Sequence, residues 1–425
     1  MGEFWDNLVK ALGQVEKASQ VKDIKACALL LRLLPSLRRS SSLESITNAY
    51  KAFYSTDPSW GQSSSSSKLQ FSSPEVEAYL NILICMVLIK ENHIDSSKEI
   101  ALAQIEKHQA YTAQPFVAKL FYYFALSCEI KQELDEKPFL DWYRQACLRH
   151  DNFIQATLIN VILRFFLLKN KVQQAQDFAD RTGFPENAPY SEIARNQYYL
   201  GRINALRLNY AEALNRLIQA QRKAPENSGA GFKLAVEKLK VVVQLLMGEI
   251  PVRKTLVGYK GLGAYVDLVR AVRSGELERY NQVIANYQNA FNEDMNLSLV
   301  ARLRHIVIKA GLKKINIAYS VIALKDIAHK LGLPLTDTEF IVAKAIRDGV
   351  IEATVDHEKA VLRSKVLEDV YRTNEPQHAF QKRIAFCMDL RNDTVRAMQF
   401  PQEKKEAEEH NEEIEIELIE DDDDF

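Results

Sequence analysis

The chain has 425 residues, 47% hydrophobic and 26% charged, enough for two or three domains' worth of core; a disordered or collagenous protein is excluded. Its 15 glycines and 12 prolines each fall well below the roughly 7% and 5% of average usage, which predicts long helices rather than strand-and-turn architecture. The formal net charge of −1 hides an asymmetry: residues 402–425 carry 13 acidic side chains against Lys404 and Lys405, and the rest of the chain is mildly basic.

The five cysteines (Cys27, Cys85, Cys128, Cys147, Cys387) are widely spaced and odd in number, so neither a disulfide framework nor a CxxC metal knuckle is indicated and a reducing compartment is expected. Met1-Gly2-Glu3-Phe4-Trp5-Asp6 lacks the basic start of a secretory signal. The longest apolar run, Ile82 to Ile89, falls far short of the ~18 residues of a membrane span.

Residues 1–72 read as a helical arm ending in a Ser-rich linker, Gly61 to Ser67. Ser73 and Pro74 then make an N-cap and N1 pair that opens a helix to Lys90, apolar nearly all round and therefore buried. A second helix of this kind is predicted over Ile154 to Lys169.

Leu200-Gly201, Ala213, Leu217, Ala220 and Pro225 fall where a tetratricopeptide unit places its Leu-Gly, small, large, small and Pro positions. Weaker echoes at Val172-Gln-Gln-Ala175 and Leu277-Glu-Arg-Tyr280 extend this to a solenoid of helical hairpins with irregular spacing over 73–315.

The pattern changes after Asn316. Leu324, Ile327, Ala328 and Leu331 mark a helix closed by Gly332. Thr336-Asp-Thr-Glu339 reads as a capping box for a second helix, Glu339 to Arg347, closed by Asp348-Gly349. Period-2 alternation at Ile351, Ala353 and Val355, a turn, and a return strand at Val361 complete a winged helix over 316–372. A C-terminal helix is expected over 373–401 and an acidic disordered tail over 402–425. The fold class is thus mainly α: a solenoid of tetratricopeptide-like hairpins, a winged helix and a terminal helix.

No catalytic residues are singled out. The eight histidines include no HxH or HExxH, and no nucleophile elbow is present, so no metal and no cofactor are expected. Gly258-Tyr-Lys-Gly261-Leu-Gly263 follows no predicted strand and lacks a Lys-Ser/Thr ending, so it reads as a loop rather than a phosphate cradle. DNA reading is disfavoured: on the second helix of the winged motif Asp337, Glu339 and Asp348 outnumber Lys344 and Arg347.

An α-solenoid ending in a winged helix resembles the PCI family, whose domain is shared by scaffold subunits of the proteasome lid, the COP9 signalosome and translation initiation factor three. The resemblance to the lid members is carried by Pro74-Glu-Val-Glu-Ala-Tyr-Leu80, Arg149-His-Asp151, Tyr198-Tyr-Leu-Gly-Arg202, Arg302-Leu-Arg-His305 and, most densely, Glu339-Phe-Ile-Val-Ala-Lys-Ala-Ile-Arg-Asp-Gly-Val-Ile-Glu-Ala353.

It implies a non-catalytic scaffold of cytoplasm and nucleus that assembles with other lid PCI subunits, the lid deubiquitinase module and a small acidic disordered lid subunit. Membrane, small-molecule and nucleic-acid partners are not expected; the alternatives are a PCI scaffold of another complex or a nucleic-acid-binding winged helix. Three surfaces are candidates. The ribbon Val350, Ile351, Glu352, Ala353, Thr354 and Val355 with Val361 and Arg363 offers a strand edge. Phe380, Ile384, Ala385, Met388 and Val395 form an apolar stripe on the terminal helix, suited to a helical bundle. Arg202, Arg207, Arg216, Arg222 and Lys223 offer cations to an acidic partner.

Overall fold

The computed structural model describes residues 2–21, 24–41, 45, 74–107, 114–133, 135–225, 229–253, 256, 258–259, 261–365 and 370–420. The expected Ser-rich linker, the arm boundary at 72 and residues 421–425 of the acidic tail lie outside them. Two compact units emerge, one built from residues 1–315 and 327–338, the other from 316–326 and 339–425.

Helices α1 (Gly2–Val21), α2 (Ile24–Leu30) and α3 (Leu34–Ser40) open the first unit. Four helical pairs follow: α4 (Pro74–Lys90) with α5 (Ile94–Lys107), α6 (Gln114–Ile130) with α7 (Lys137–Leu148), α8 (Asn152–Leu168) with α9 (Val172–Arg181), and α10 (Tyr190–Leu206) with α11 (Tyr210–Lys223). Then come α12 (Ala230–Met247), α13 (Gly263–Ser274), α14 (Leu277–Glu293), α15 (Leu297–Arg302) and α16 (Arg304–Ala318).

The pairs are more regular than the sequence spacing suggests. Asn92, Gln132, Asn170 and Leu208 each sit at positive φ just past the first helix of a pair, and the residue after each donates its N–H five positions back: His93 to Leu88, Glu133 to Cys128, Lys171 to Phe166 and Asn209 to Asn204, all at 2.8–2.9 Å. This is a left-handed helix stop made without glycine. The four stops fall 40, 38 and 38 residues apart, so a constant repeat underlies a variable sequence.

Helices α4 and α8 are buried on nearly all sides, as their unbroken apolar composition requires. Around α8 an aromatic lattice fills the core: the Phe139 ring stands edge-on to Phe165 at 5.0 Å and to Trp142 at 5.4 Å between ring centres. In the tetratricopeptide-like pair, a Cβ on Gly201 would meet Leu217 Cγ at 3.1 Å and the Ala213 carbonyl at 3.3 Å, which is why α10 and α11 need glycine at their crossing.

In the second unit, strands β1 (Val321–Ala323), β2 (Ala353–Asp356) and β3 (Val361–Ser364) form an antiparallel sheet in the order β1-β3-β2. Helices α17 (Leu324–Leu331) and α18 (Leu335–Arg347) precede the ribbon in the chain, their residues 327–338 counting with the first unit. Gly332 and Gly349 end them at φ +62 and +68, as predicted. The expected capping box is not formed: α18 starts one residue before Thr336, just after Pro334, whose carbonyl accepts the Thr338 hydroxyl at 2.8 Å. The last helix, α19 (Glu375–Glu420), runs on through most of the segment expected to be disordered. Residues 402–420 hold nine glutamates with Lys404, Lys405 and Ala407, strong helix formers, so the acidic composition read as disorder also supports a helix.

Candidate protein-interaction surfaces

The sheet has two open edges, and only one was foreseen. The Lys365 N–H bonds the Glu352 carbonyl at 3.0 Å, which makes Glu352/Lys365 a hydrogen-bonded pair; by alternation Thr354/Arg363 and Asp356/Val361 are bonded too. The backbone groups of Ala353 and Val355 therefore point away from β3, toward the open edge. On the other side, the Ser364 N–H to Ser320 and Leu324 N–H to Ala360 bonds, both 2.9 Å, leave Val321 and Ala323 facing outward on β1.

Val361 and Arg363, expected at an edge, lie instead on the central strand, with every backbone group of β3 committed to β1 or β2. Val350, Ile351 and Glu352 precede β2, and Ile351 is buried, so its side chain is core rather than contact. The short strand β1, three residues long, carries too little alternation to be read from sequence. Its exposed Val321 extends the line of Ile317 and Tyr319, also exposed.

On α19 every side chain from Gln377 to Met398 is exposed. Phe380 and Ile384 are 63% and 62% exposed, and Met388, Val395 and Met398 continue the same stripe. At about 100° per residue these positions span about 80° of the helix, whereas Ala385 falls off the stripe. Phe386 and Leu390, also exposed, lie on the opposite side. The row is an exposed apolar face on a helix some 70 Å long.

The five cations on the tetratricopeptide-like pair do not form one surface. Arg202 is only 4% exposed; its guanidinium donates to the Asp294 carbonyl at 3.4 Å and the Met295 carbonyl at 2.5 Å, where α14 ends. It is removed from the acidic-partner set because a helix end, not solvent, receives its charge. Arg216 is half-buried and held by Glu212 at 2.8 Å, and the Lys223 ammonium lies 5.2 Å from the centre of the Tyr190 ring. Arg207 and Arg222 are exposed. Arg302 repeats the helix-end role: it donates to the Leu206 carbonyl at 3.0 Å, at the end of α10.

Three observations among the described residues bear on metal and thiol chemistry and on one ion pair. Among the described residues no group of three or more His, Cys, Asp or Glu side chains could hold a metal ion. Burial pushes the Cys85 thiol up to about 12, which makes it an inert core group. His357 Nδ1 lies 2.5 Å from Glu339 Oε1, pinning the ribbon turn to α18. No helix among the described residues is long and apolar enough to cross a membrane.

Stacked helical pairs, a three-stranded winged helix and an exposed terminal helix define a PCI-type scaffold architecture. Three family models match: one described as PSMD3-like, N-terminal TPR repeats, over residues 6–268; the PCI domain over 284–365; and a model for the C-terminal region of a proteasome regulatory subunit over 369–424. The chain belongs to the family of 26S proteasome non-ATPase regulatory subunit 3. It is 38% identical to a probable 26S proteasome non-ATPase regulatory subunit 3 of Anopheles gambiae, covering 97% of this chain and 90% of the relative. It is also 42% identical to the 26S proteasome non-ATPase regulatory subunit 3 of Dictyostelium discoideum (89% and 75% covered) and 39% identical to a probable 26S proteasome regulatory subunit rpn3 of Schizosaccharomyces pombe (79% and 69%).

Proposed function

We propose that the chain is a non-catalytic scaffold of the proteasome regulatory-particle lid, working in cytoplasm and nucleus in ubiquitin-dependent degradation. The observation that carries this reading is the row of exposed apolar side chains on α19, which has no role in a monomer and suits a bundle with helices of other lid subunits. The open edge of β2 at Ala353 and Val355 suits strand pairing with neighbouring PCI domains. The deubiquitinase module joins through the same assembly, and Arg207, Arg216, Arg222 and Lys223 face a small acidic disordered subunit. For this purpose the chain divides into an arm to 72, a solenoid over 73–315, a winged helix over 316–372, and the terminal helix.

The test is affinity capture from lysate at moderate salt, with mass spectrometry and a peptidase assay on the eluate. The unmodified chain is expected to recover lid subunits and proteasomal peptidase activity. Phe380→Asp with Ile384→Asp is expected to cut that recovery at least about tenfold while the solenoid stays helical, because two charges would enter an apolar seam. Undiminished recovery by the double variant would remove α19 from the assembly surface; recovery of a different PCI complex would move the function there.

A further inference from the structure

Helices α5, α6, α7 and α8 of the first unit line a cavity of about 310 Å³ that none of the candidate surfaces includes. Its wall is apolar. Val117 and Phe121 of α6 and Ala146 of α7 are buried, and the Trp142 ring lies 5.3 Å from Phe121 and, edge-on, 5.6 Å from Phe124 between ring centres. Those contacts hold the half-buried indole in place. Glu106 and Arg149, both exposed, stand at the mouth with opposite charges.

The buried polar end is Asp151, 8% exposed, with Gln114, 5% exposed. His150 takes φ +57, and the Asp151 N–H then reaches the Ala146 carbonyl at 3.1 Å, which fixes Asp151 at the head of α8. This is the N-cap position, where an aspartate ordinarily accepts from the N–H groups of the first turn, yet Asp151 caps none of them. Among the described residues its carboxylate accepts one hydrogen bond, from the Gln114 amide to Oδ1. A carboxylate taken out of water calls for more donors than that, or for a counter-ion. Burial raises its pKa, and Arg149 opposes this only in part. Glu106, Arg149 and Asp151 are the charged groups of the lining, so one acid is in excess beside an aromatic wall.

We propose that this cavity binds an alkylammonium group, with the ammonium on Asp151 Oδ2 and the stem along Phe121 and Trp142. The ammonium gains a charge-assisted hydrogen bond, the indole face attracts the same charge, and the methylenes leave water against the wall. The volume lies at the low end for small-ligand pockets, which suits a single unbranched chain. A carboxylate or phosphate would meet Asp151 with like charge. Two sources offer the chemistry: a lysine side chain of a partner polypeptide, or a free diamine. The site does not depend on the scaffold reading.

The experiment is a titration of the purified full chain, labelled with ¹⁵N in its tryptophans, at about 50 mM salt, where attraction is little screened. The Trp142 indole signal is identified by its loss in Trp142→Phe. The probes are Nα-acetyl-lysine amide, cadaverine, and Nα-acetyl-norleucine amide as the uncharged control. The Trp142 signal is expected to shift to saturation with at least one amine and not with the norleucine amide. A response to the lysine amide assigns the site to a polypeptide lysine, and a response to cadaverine alone assigns it to a free diamine.

Asp151→Asn keeps the side-chain shape and an acceptor for Gln114, and is expected to weaken amine binding at least about tenfold. Because it exchanges a buried charge for a neutral amide, it is expected to unfold at no lower temperature than the unmodified chain, so lost binding would not mean lost folding. No shift with either amine, an equal shift with the norleucine amide, or equal amine binding by Asp151→Asn overturns the proposal.

Discussion

Gly275→Ala is expected to be among the most damaging single substitutions in the solenoid, costing about 3 kcal/mol or more. Two effects add. Gly275 ends α13 at φ +70, where any side chain costs roughly 1 kcal/mol. Its Cβ would also stand 2.6 Å from the Gly311 nitrogen and 2.7 Å from the Gly311 Cα, both backbone atoms that cannot swing aside. Gly311 is no freer to yield, since a Cβ there would meet the Gly275 oxygen at 2.7 Å and Leu331 Cδ2 at 2.6 Å. The two glycines bring the end of α13 against the α16 backbone, and a methyl group must push them apart.

The control is Gly248→Ala. Gly248 ends α12 at φ +89 with nothing within 4 Å of the added carbon, so only the conformational cost applies. Urea unfolding of both variants should separate them by about 2 kcal/mol or more. If the two midpoints coincide, the close approach of Gly275 and Gly311 does not govern stability.

Asp294→Ala is the second substitution for which a large loss is expected, about 3–5 kcal/mol. Lys238 Nζ lies 2.8 Å from both Asp294 carboxylate oxygens, and Tyr265 Oη donates to Oδ2 at 2.9 Å while accepting from Asn296 Nδ2 at 3.0 Å. The lysine and aspartate side chains are only 19% and 20% exposed. Removing the carboxylate leaves the ammonium without its counter-ion and the tyrosine hydroxyl without its acceptor.

Lys238→Met alone should cost less, and the double variant should recover a large part of the Asp294→Ala loss, because the stranded charge is then gone. Unfolding midpoints of the two single variants and the double variant complete the cycle. Additive losses would mean that the ion pair is not what holds α12 to the end of α14.

The left-handed stops at Asn92, Gln132, Asn170 and Leu208 explain why the repeat was only half legible. Reading for glycine after each helix finds Gly248, Gly332 and Gly349, but these four hairpins close on other residues. The strain of positive φ there is outweighed by packing of the paired helices, which no local signal records. The acidic end is a related case: its composition was read as disorder, yet the same glutamates, lysines and alanine are helix formers and the helix runs to Glu420.

The candidate surfaces divide the same way. The apolar stripe on α19 was legible because side-chain period is a property of one helix, and among the described residues that stripe stays exposed. The places of Arg202 and Val361 were not legible, since each depends on a partner far along the chain: Arg202 on the Asp294 and Met295 carbonyls, Val361 on β1. By itself, then, the sequence determined the helical pairs, the winged helix, the terminal stripe and the family, all of which follow from local periodicity and residue pattern. Tertiary structure alone decided which cations are spent on helix ends and which strand is central, because these depend on which distant groups meet and how much water their meeting removes.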